Sequence, residues 1–390
     1  MAVDVWRRLT VARSERPAAR RPRSPQGGNS AKEPNASCRA LGPRRSLRTM
    51  ANPAKTASAQ DVAVRLAASD DVVVAYQARV RALGVPESDP SASALRAAIA
   101  DSPRARALLS HRVPDGMIHL NPYAKFQGPH WTLVGLALID YPPGDRELLP
   151  LKRQVDDWLS SRAHLRPTRT VRYPEQPDRV RRCASQEGNA IWTALRLGLE
   201  DGRTAEWAER LIAFQWPDGG WNCDKRREAR SSSFQETAIP ARALHAFGRR
   251  VGHAGALEAA DRAADLLLSR RLLWRRRDGD VIRPDWGLPA DRIQFPIQFY
   301  DVLFALQVMA ELGRLGDPRC ADALALLESK RLPDGGFPLD ERVGITRDVV
   351  ASGGTYADWG PAGATRSNPL VTVRALGALR EAAAARASAG

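Results

Sequence analysis

Polar side chains recur at the starts of successive apolar segments, and these residues are the best placed in the sequence to do chemistry. Glu236 stands just before the apolar run 239–247, and Asp301 just before the run 302–312. Carboxyl groups crowded into a partly apolar pocket acquire raised pKa values, which suits a general acid. We therefore predict Glu236 and Asp301 as catalytic acids. The polar residues near the starts of similar segments are predicted to bind substrate, and they are His130, Glu187, Asn189 and Tyr300.

The same positions have a structural explanation. A Glu in the first turn of a helix interacts favourably with the helix macrodipole, and Asn and Ser are common N-caps. For Glu236 and Asp301 the capping and catalytic roles both stay open at this point, whereas Asn368 is expected to be a cap.

A metal site is a further possibility, although no cofactor is required by any motif. Cys223 and Asp224 are adjacent, and His245 and His253 follow on the next apolar segment. A cysteine, a carboxylate and a histidine form the ligand set of an open zinc site if the fold brings them together. The alternative is a packed cysteine beside a surface aspartate.

A basic loop follows these residues. Residues 225–233 include Lys225, Arg226, Arg227 and Arg230, and three serines follow. Guanidinium and ammonium groups neutralise phosphate oxygens, so this loop is predicted to receive a diphosphate, with Arg226 as a substrate ligand. The alternative is a solvated loop.

The elements that position these residues form a repeat. Polar turns with glycine occur at 114–116, 217–220, 278–280 and 333–336, and their first glycines are 103, 60 and 56 residues apart. The long first gap leaves room for a degenerate unit around 165–185. An apolar segment of helical spacing follows each turn, and strand signals are nearly absent, so the sequence predicts an all-α fold of stacked helical pairs.

One turn is more specific than the others. Residues 215–221 read Gln-Trp-Pro-Asp-Gly-Gly-Trp, and Gln215, Gly219 and Trp221 fall at the offsets of the QW repeat. The chain thus resembles the superfamily of squalene cyclases and protein prenyltransferases over about 105–385. In the unit at 331–337, Arg331 and Phe337 replace the Gln and the second Trp.

This resemblance implies an α/α toroid of about five to six helical pairs, with inner and outer helices around a central cavity. It also implies that Gln215 and Trp221 tie an outer helix to the inner helix that follows. The implied ligand is an isoprenoid or a related lipid.

The catalytic motifs of the superfamily are not found. There is no DxDD acid, and the pair Asp156-Asp157 lacks an acidic residue two positions upstream. The prenyltransferase zinc motif, Asp-x-Cys with a distant His, is also missing. Residues 183–186 read Cys-Ala-Ser-Gln, the spacing of the internal thioester in complement-like toroids. Since a shared fold does not carry function with it, we expect either a divergent enzyme of this type or a non-catalytic toroid that binds a lipid or a protein.

Charge is unevenly distributed along the 390 residues. The net charge is +15, and residues 1–49 alone hold twelve Lys or Arg against three acidic residues. We expect this basic leader to be disordered, or translation to begin at Met50. N-terminal helices are predicted over 50–110 and the toroid over 111–385.

Location and partners are predicted from what the sequence lacks. No run of 18 apolar residues indicates a membrane span. The four cysteines lack CxxC spacing and no secretory signal is visible, so we expect a reducing, cytoplasmic setting. Nucleic acid is not an expected partner.

Overall fold

A computed structural model of the chain shows a mostly α-helical protein. The structure describes residues 57–166, 170–276, 278–283, 289–295, 299–351 and 353–388. The predicted leader at 1–49 lies outside the described residues. Within these ranges the helices are α1 (Ala59–Ala67), α2 (Val72–Gln77), α3 (Pro90–Ala98), α4 (Pro103–Leu109), α5 (Pro129–Leu138), α6 (Leu149–Ser160), α7 (Arg162–Leu165), α8 (Ala184–Leu197), α9 (Gly202–Ala213), α10 (Phe234–Val251), α11 (Ala254–Leu268), α12 (Val302–Glu311), α13 (Ala321–Ser329) and α14 (Pro369–Ala387).

Alternating helices differ in how much of their surface is buried. Every residue of α5 is buried, and α8, α10, α12 and α14 are buried around most of their circumference. In contrast, α6, α9, α11 and α13 bury one stripe and expose the other, as surface helices do. Each buried helix contacts the next one along the chain, from α5 through α8, α10 and α12 to α14. Helices α5, α8, α10 and α12 also contact one or two of the half-exposed helices.

The last helix returns to the beginning of the described chain. Helix α14 contacts α1 and α2. At the end of α5, the carbonyl of Leu138 accepts hydrogen bonds from Gln77 Nε2 at 2.8 Å and from Arg374 Nη2 at 2.6 Å. The N-terminal and C-terminal helices are therefore joined to each other and to α5.

A buried carboxylate strengthens this junction. Asp140, directly after α5, accepts hydrogen bonds from Gln77 at 2.8 Å and Arg81 at 2.9 Å, and it also pairs with Arg196 of α8. Burial by itself would raise the pKa of Asp140, but the positive charges of Arg81 and Arg196 hold it well below its usual range. An ion pair so enclosed keeps its charge because its partners satisfy the oxygens.

Short strands occur where none was expected. Strands β1 (Val171–Tyr173) and β2 (Gln176–Arg181) form an antiparallel hairpin within the region predicted as a degenerate helical unit. The remaining strands form two parallel pairs, β3 (Gln294–Phe295) with β4 (Glu341–Arg342) and β5 (Ile345–Thr346) with β6 (Gly354–Thr355). The prediction of a mostly helical fold is nevertheless confirmed. The strands were missed because each is only two to six residues long.

Three of the glycine turns share one hydrogen-bond pattern. In each turn, the amide of the first residue donates to the carbonyl of the residue four positions later. The amide of the residue three positions later, which is a glycine, donates to the carbonyl of the first residue. All of these distances are 2.8–2.9 Å. The donating glycine has a positive φ in each case, which a residue with a side chain rarely adopts. These turns begin at Val113, Trp216 and Leu332.

Two of these turns are tied to the following buried helix in the same way. After the turn, the amide of Trp221 donates to Thr237 Oγ1 of α10 at 3.3 Å, and the amide of Phe337 donates to Thr372 Oγ1 of α14 at 2.9 Å. The carbonyl of Trp221 accepts from the Ser233 amide at 2.8 Å. The structure thus repeats an arrangement that the sequence repeats only in part.

The QW residues make different links from those implied by the resemblance. Gln215 Nε2 donates to the Gly219 carbonyl and to the Ala259 carbonyl of α11, both at 2.8 Å, and Trp221 Nε1 donates to Leu211 of α9 at 2.9 Å. These side chains therefore join half-exposed helices, while the backbone makes the link to α10. In the unit at 331–337, Arg331 Nη1 donates to the Gly335 carbonyl at 3.1 Å and takes the place of the Gln.

Among the described helices, none has the length and the apolar composition needed to cross a membrane.

The turn geometry predicts an asymmetric response to alanine at two glycines. A Cβ at Gly220 would lie 2.7 Å from both Leu266 Cδ2 and Ser232 Cβ, whereas a Cβ at Gly202, the first residue of α9, would meet nothing within 4 Å. We expect Gly220→Ala to lower the free energy of unfolding by about 1–3 kcal/mol. Gly202→Ala is the control and should change it by less than about 1 kcal/mol. Chemical denaturation of both variants tests this, and equal stabilities would contradict the close packing at the turn.

Candidate functional site

Two thiols and a carboxylate converge from three separate places in the chain. Cys183 is the residue immediately before α8, Cys223 follows the turn at 216–220, and Glu236 lies in the first turn of α10. One ligand atom of each, the two Sγ atoms and a carboxylate oxygen, lie within 4.8 Å of one another. We call these three residues the thiol–carboxylate centre.

The close approach of α8 and α10 brings the centre together. A Cβ at Gly188 of α8 would lie 3.0 Å from Ile239 Cγ2 and from the Pro240 amide nitrogen of α10, so only glycine fits there without a shift. The Ser185 amide and hydroxyl then donate to the Glu236 carboxylate at 2.8 and 3.1 Å. Burial raises the pKa of Glu236, and the hydrogen bonds from Ser185 oppose that rise.

The two thiols interact with each other. Cys183 and Cys223 are both half-buried. A hydrogen bond to Cys183, together with burial, raises the pKa of the Cys223 thiol well above its ordinary value. Sulfur and carboxylate oxygen are both ligands for zinc, and the centre is the group of three such residues that could hold a metal ion in the described part of the chain.

Lys125 is a half-buried lysine whose charge interacts with the residues of the centre. Its Nζ lies 5.7 Å from the ring centroid of Tyr123 and 5.9 Å from that of Phe299. Burial lowers the pKa of Lys125 to about 8, and the charges of Cys183 and Glu236 oppose that fall. Lys125 was not among the predicted site residues because it lies in the irregular segment before α5, outside the pattern of helix starts.

An aromatic wall adjoins Lys125. The Tyr123 ring centroid lies 5.1 Å from that of His130, 5.3 Å from that of Trp131 and 5.5 Å from that of Trp158. His130 is buried, and among the described residues its Nε2 has no hydrogen-bond partner. Burial lowers the pKa of His130 to about 3, so the imidazole is neutral. The predicted substrate-binding role of His130 stays a prediction, and its position beside the wall is compatible with it.

Glu187 is occupied by cations. Its carboxylate pairs with Arg182 and with Arg210, the latter at 3.2 Å, and the side chain is fully buried. These contacts fix α8 to the segment before it and to α9. Substrate binding by Glu187 stays a prediction, but the ion pairs already use Oε1, while Oε2 has no partner among the described residues.

Asp301 and Tyr300 have the contacts of structural residues. Asp301 is the N-cap of α12, and its carboxylate accepts from the Phe304 amide at 2.8 Å and the Gln294 amide at 2.7 Å. The Tyr300 hydroxyl donates to the Leu272 carbonyl at 2.8 Å. Asp301 is not part of the thiol–carboxylate centre, so of the two predicted acids the structure brings only Glu236 to the thiols.

Two predicted ligands lie apart from this grouping. Arg226 is exposed and pairs with Asp224 at 2.7 Å in the loop after Cys223. Asn189 is buried on α8, one turn beyond Ser185. Their predicted roles in substrate binding stay predictions.

The predicted zinc ligands beyond Cys223 do not gather around it. Asp224 pairs with Arg226, and His253 caps α11 and contacts Glu209 at 2.8 Å. Cys183 and Glu236 stand at Cys223 in their place. The thioester spacing at 183–186 is also used differently, because Gln186 hydrogen-bonds to the Tyr123 side chain while Cys183 faces Cys223.

Two small cavities lie among the described residues. Each has a volume of about 10 Å³, roughly the room that one water molecule needs. One lies between α5, α6 and α8, and the other lies beside Phe126, Trp131 and Trp359. The thiol–carboxylate centre lines neither of them.

Comparison with known proteins gives no relative: no family model, no curated protein and no solved structure matches this chain.

The capping role of Asp301 predicts a specific pH dependence. Burial raises the pKa of Asp301 from 3.8 to about 7, so the folded state binds a proton that the unfolded state releases. Its contribution to stability is therefore complete below about pH 4 and is lost as the pH rises to about 7. The side chain of the Asp301→Asn variant cannot ionise. As the pH rises from about 4 to about 7, the free energy of unfolding of this variant should therefore increase by about 1–4 kcal/mol relative to that of the wild type.

Urea denaturation of both proteins at several pH values measures this difference. The Asn side chain loses one of the two backbone hydrogen bonds, which lowers its stability by a constant amount but does not change the slope. A difference that is independent of pH between 4 and 7 would contradict a raised pKa at Asp301.

Proposed function

We propose that the chain is an α/α-toroid enzyme whose reaction takes place at the thiol–carboxylate centre. The observation that carries the proposal is the convergence of Cys183, Cys223 and Glu236 at the starts of two neighbouring buried helices. Removing a carboxylate from water costs free energy, and an apolar side chain would fill the same space at no such cost. Groups of this kind concentrate at functional sites.

The contacts of the buried helices support the toroid. Each of α5, α8, α10, α12 and α14 contacts the next, α14 contacts α2, and Gln77 at the end of α2 reaches the carbonyl end of α5. Six buried helices in a closed cycle, each paired with a more exposed helix, are what a toroid of six helical pairs requires. The repeated turn bonds at 216–220 and 332–336 support the same arrangement.

The surroundings of the centre favour an apolar substrate. Tyr123, Trp131 and Trp158 form an aromatic wall beside Lys125. Aromatic faces stabilise apolar chains and developing positive charge, which is the requirement of isoprenoid chemistry. The resemblance in the QW turn points to the same substrate class, so we propose an isoprenoid or a related lipid as the molecule converted.

A second candidate is a non-catalytic toroid that binds a lipid or a protein. The absence of the DxDD acid and of the Asp-x-Cys zinc motif from the sequence favours this candidate. The two candidates differ in whether Glu236 is essential for a reaction.

Substitution of Glu236 tests the proposal. The full chain is incubated with a series of prenyl diphosphates, and product and diphosphate release are followed by mass spectrometry. Glu236→Gln should lower turnover by about a hundredfold or more, because a carboxylate at the reacting centre contributes on this scale. Thermal unfolding should show that the variant is still folded.

Ser233→Ala is the matched control. The Ser233 hydroxyl caps α10 by accepting from the Glu236 amide, and it is not part of the centre. This variant should lose about 0.5–2 kcal/mol of stability and keep its turnover. No turnover or binding with any prenyl diphosphate, or full turnover in Glu236→Gln, would overturn the proposed enzyme and leave the binding module.

A further inference from the structure

We infer that the thiol–carboxylate centre binds one zinc ion through Cys183 Sγ, Cys223 Sγ and a carboxylate oxygen of Glu236. The inference deepens the proposed function by naming a cofactor for the same centre, and only the ion's role in turnover rests on that proposal. Binding of the ion by itself is a property of these three side chains.

The donor atoms suit zinc in type and in spacing. Zinc binds thiolate sulfur at about 2.3 Å and carboxylate oxygen at about 2.0–2.2 Å, so tetrahedral ligand atoms lie about 3.5–3.8 Å apart. The three atoms here lie within 4.8 Å of one another, and shifts of about 1 Å bring them to that geometry. Two thiolates select zinc over magnesium and calcium, which prefer oxygen ligands.

The backbone holds the ligands in place. Cys183 directly precedes α8, and Glu236 belongs to the first turn of α10, so both lie at the ends of rigid helices. On either side of Cys223, the Asn222 carbonyl accepts from the Arg182 amide at 3.1 Å, and the Asp224 amide donates to Asn222 Oδ1 at 2.9 Å. The segment with Cys223 is therefore fixed against the segment that leads into Cys183.

A second set of groups orients the carboxylate. Ser185 donates its amide to one Glu236 oxygen and its hydroxyl to the other. An ionised carboxylate has about four lone-pair sites, so either oxygen accepts a zinc bond without losing its serine hydrogen bond. Hydrogen bonds of this kind to a ligating carboxylate are the usual support of a protein metal site.

Charge also favours a cation at the centre. The two sulfur atoms and the carboxylate together supply anionic ligands when the thiols are deprotonated, and a divalent cation offsets most of that charge.

Three protein ligands leave one coordination position for substrate or water, which distinguishes catalytic zinc sites from closed structural ones. In this arrangement Glu236 acts as a ligand, and the reacting group of the substrate occupies the fourth position. The zinc ion then supplies the Lewis acidity that polarises that group.

Metal loading of the full chain tests the inference. The reduced protein is stripped with a chelator, incubated with zinc, and examined by native mass spectrometry and elemental analysis. We expect one zinc per chain, and a cobalt-substituted sample should show the sulfur-to-cobalt charge-transfer band and the intense visible bands of a tetrahedral site with two thiolates. The cobalt spectrum uses the unaltered protein, so it does not depend on any variant being folded.

Three serine variants identify the ligands. Cys183→Ser and Cys223→Ser should each weaken zinc binding by more than about a hundredfold, since even changes to supporting groups weaken metal sites by 10–100-fold. Cys320→Ser makes the same chemical change at a buried thiol that contacts the Arg314 carbonyl, and it should keep full zinc binding.

Each contrary outcome has a distinct meaning. No zinc in the reduced protein, or equal zinc affinity in Cys183→Ser and Cys320→Ser, overturns the site. A denatured mass that is lower by two hydrogens before reduction and is restored by reduction, with no zinc bound afterwards, overturns the site in favour of a disulfide. A denatured mass lower by one ammonia overturns it in favour of a thioester. Zinc binding without any turnover overturns the proposed enzyme and leaves the zinc site. Turnover that persists in metal-free protein overturns the catalytic role of the zinc ion and leaves both the enzyme and the binding of zinc.

Discussion

The arrangement of the helices depends on one constraint. In the glycine turns that connect a half-exposed helix to the next buried helix, there is no room for a side chain. Gly220 lies against Ser232, Leu266 and Thr237, and Gly336 lies against Ser367. Because the backbone comes this close, the amide that follows each turn reaches a threonine hydroxyl one turn into the buried helix. The start of each such helix is thereby set at a fixed distance from the end of the preceding one. The turn at 216–220 consequently fixes Cys223 and Glu236 relative to each other, and the segment after the hairpin brings Cys183 to them.

The two ends of the buried helices carry opposite kinds of polar group. The N-terminal ends of α8 and α10 hold the Cys183 thiol and the Glu236 carboxyl group. The C-terminal ends of α5 and α8 meet at Asp140, with Arg81 and Arg196 paired to it. Negative groups near helix N-termini and cations near C-termini both interact favourably with the helix macrodipole. The cationic end is accounted for by its ion pairs, whereas two thiols and a carboxylate at the other end have no comparable structural use.

The repeat in the sequence predicted most of this helical framework and pointed to Glu236, while Cys223 was considered as a zinc ligand with other partners than those found. Glu236 was found because it stands at a helix start, yet Asp301 satisfied the same rule and forms a cap. The two residues differ in their position relative to the N-cap. Asp301 is the N-cap itself, so its short side chain accepts from the amide of Phe304. Glu236 lies three residues after its N-cap, inside the first turn, and accepts from the amide of Ser185 on the neighbouring helix. Sequence patterns place helix boundaries too loosely to separate these cases. Cys183 was not connected with Cys223 because only the crossing of α8 and α10 brings them together, and the hairpin at 171–181 was missed because its strands are short.

The link between the first and last helices has a consequence for how the chain folds as it is synthesised. Arg380 of α14 donates to the Arg81 carbonyl, and these residues are 299 positions apart. The apolar surface of α2 therefore emerges from the ribosome long before α14, its partner, exists. Until then the nascent chain holds an open stack of helical pairs with an exposed edge, which is the kind of surface that chaperones recognise. The entropic cost of closing a loop grows only slowly with its length, so the contact between α14 and the N-terminal helices is not prohibitively costly. The last step of folding nevertheless depends on the last helix.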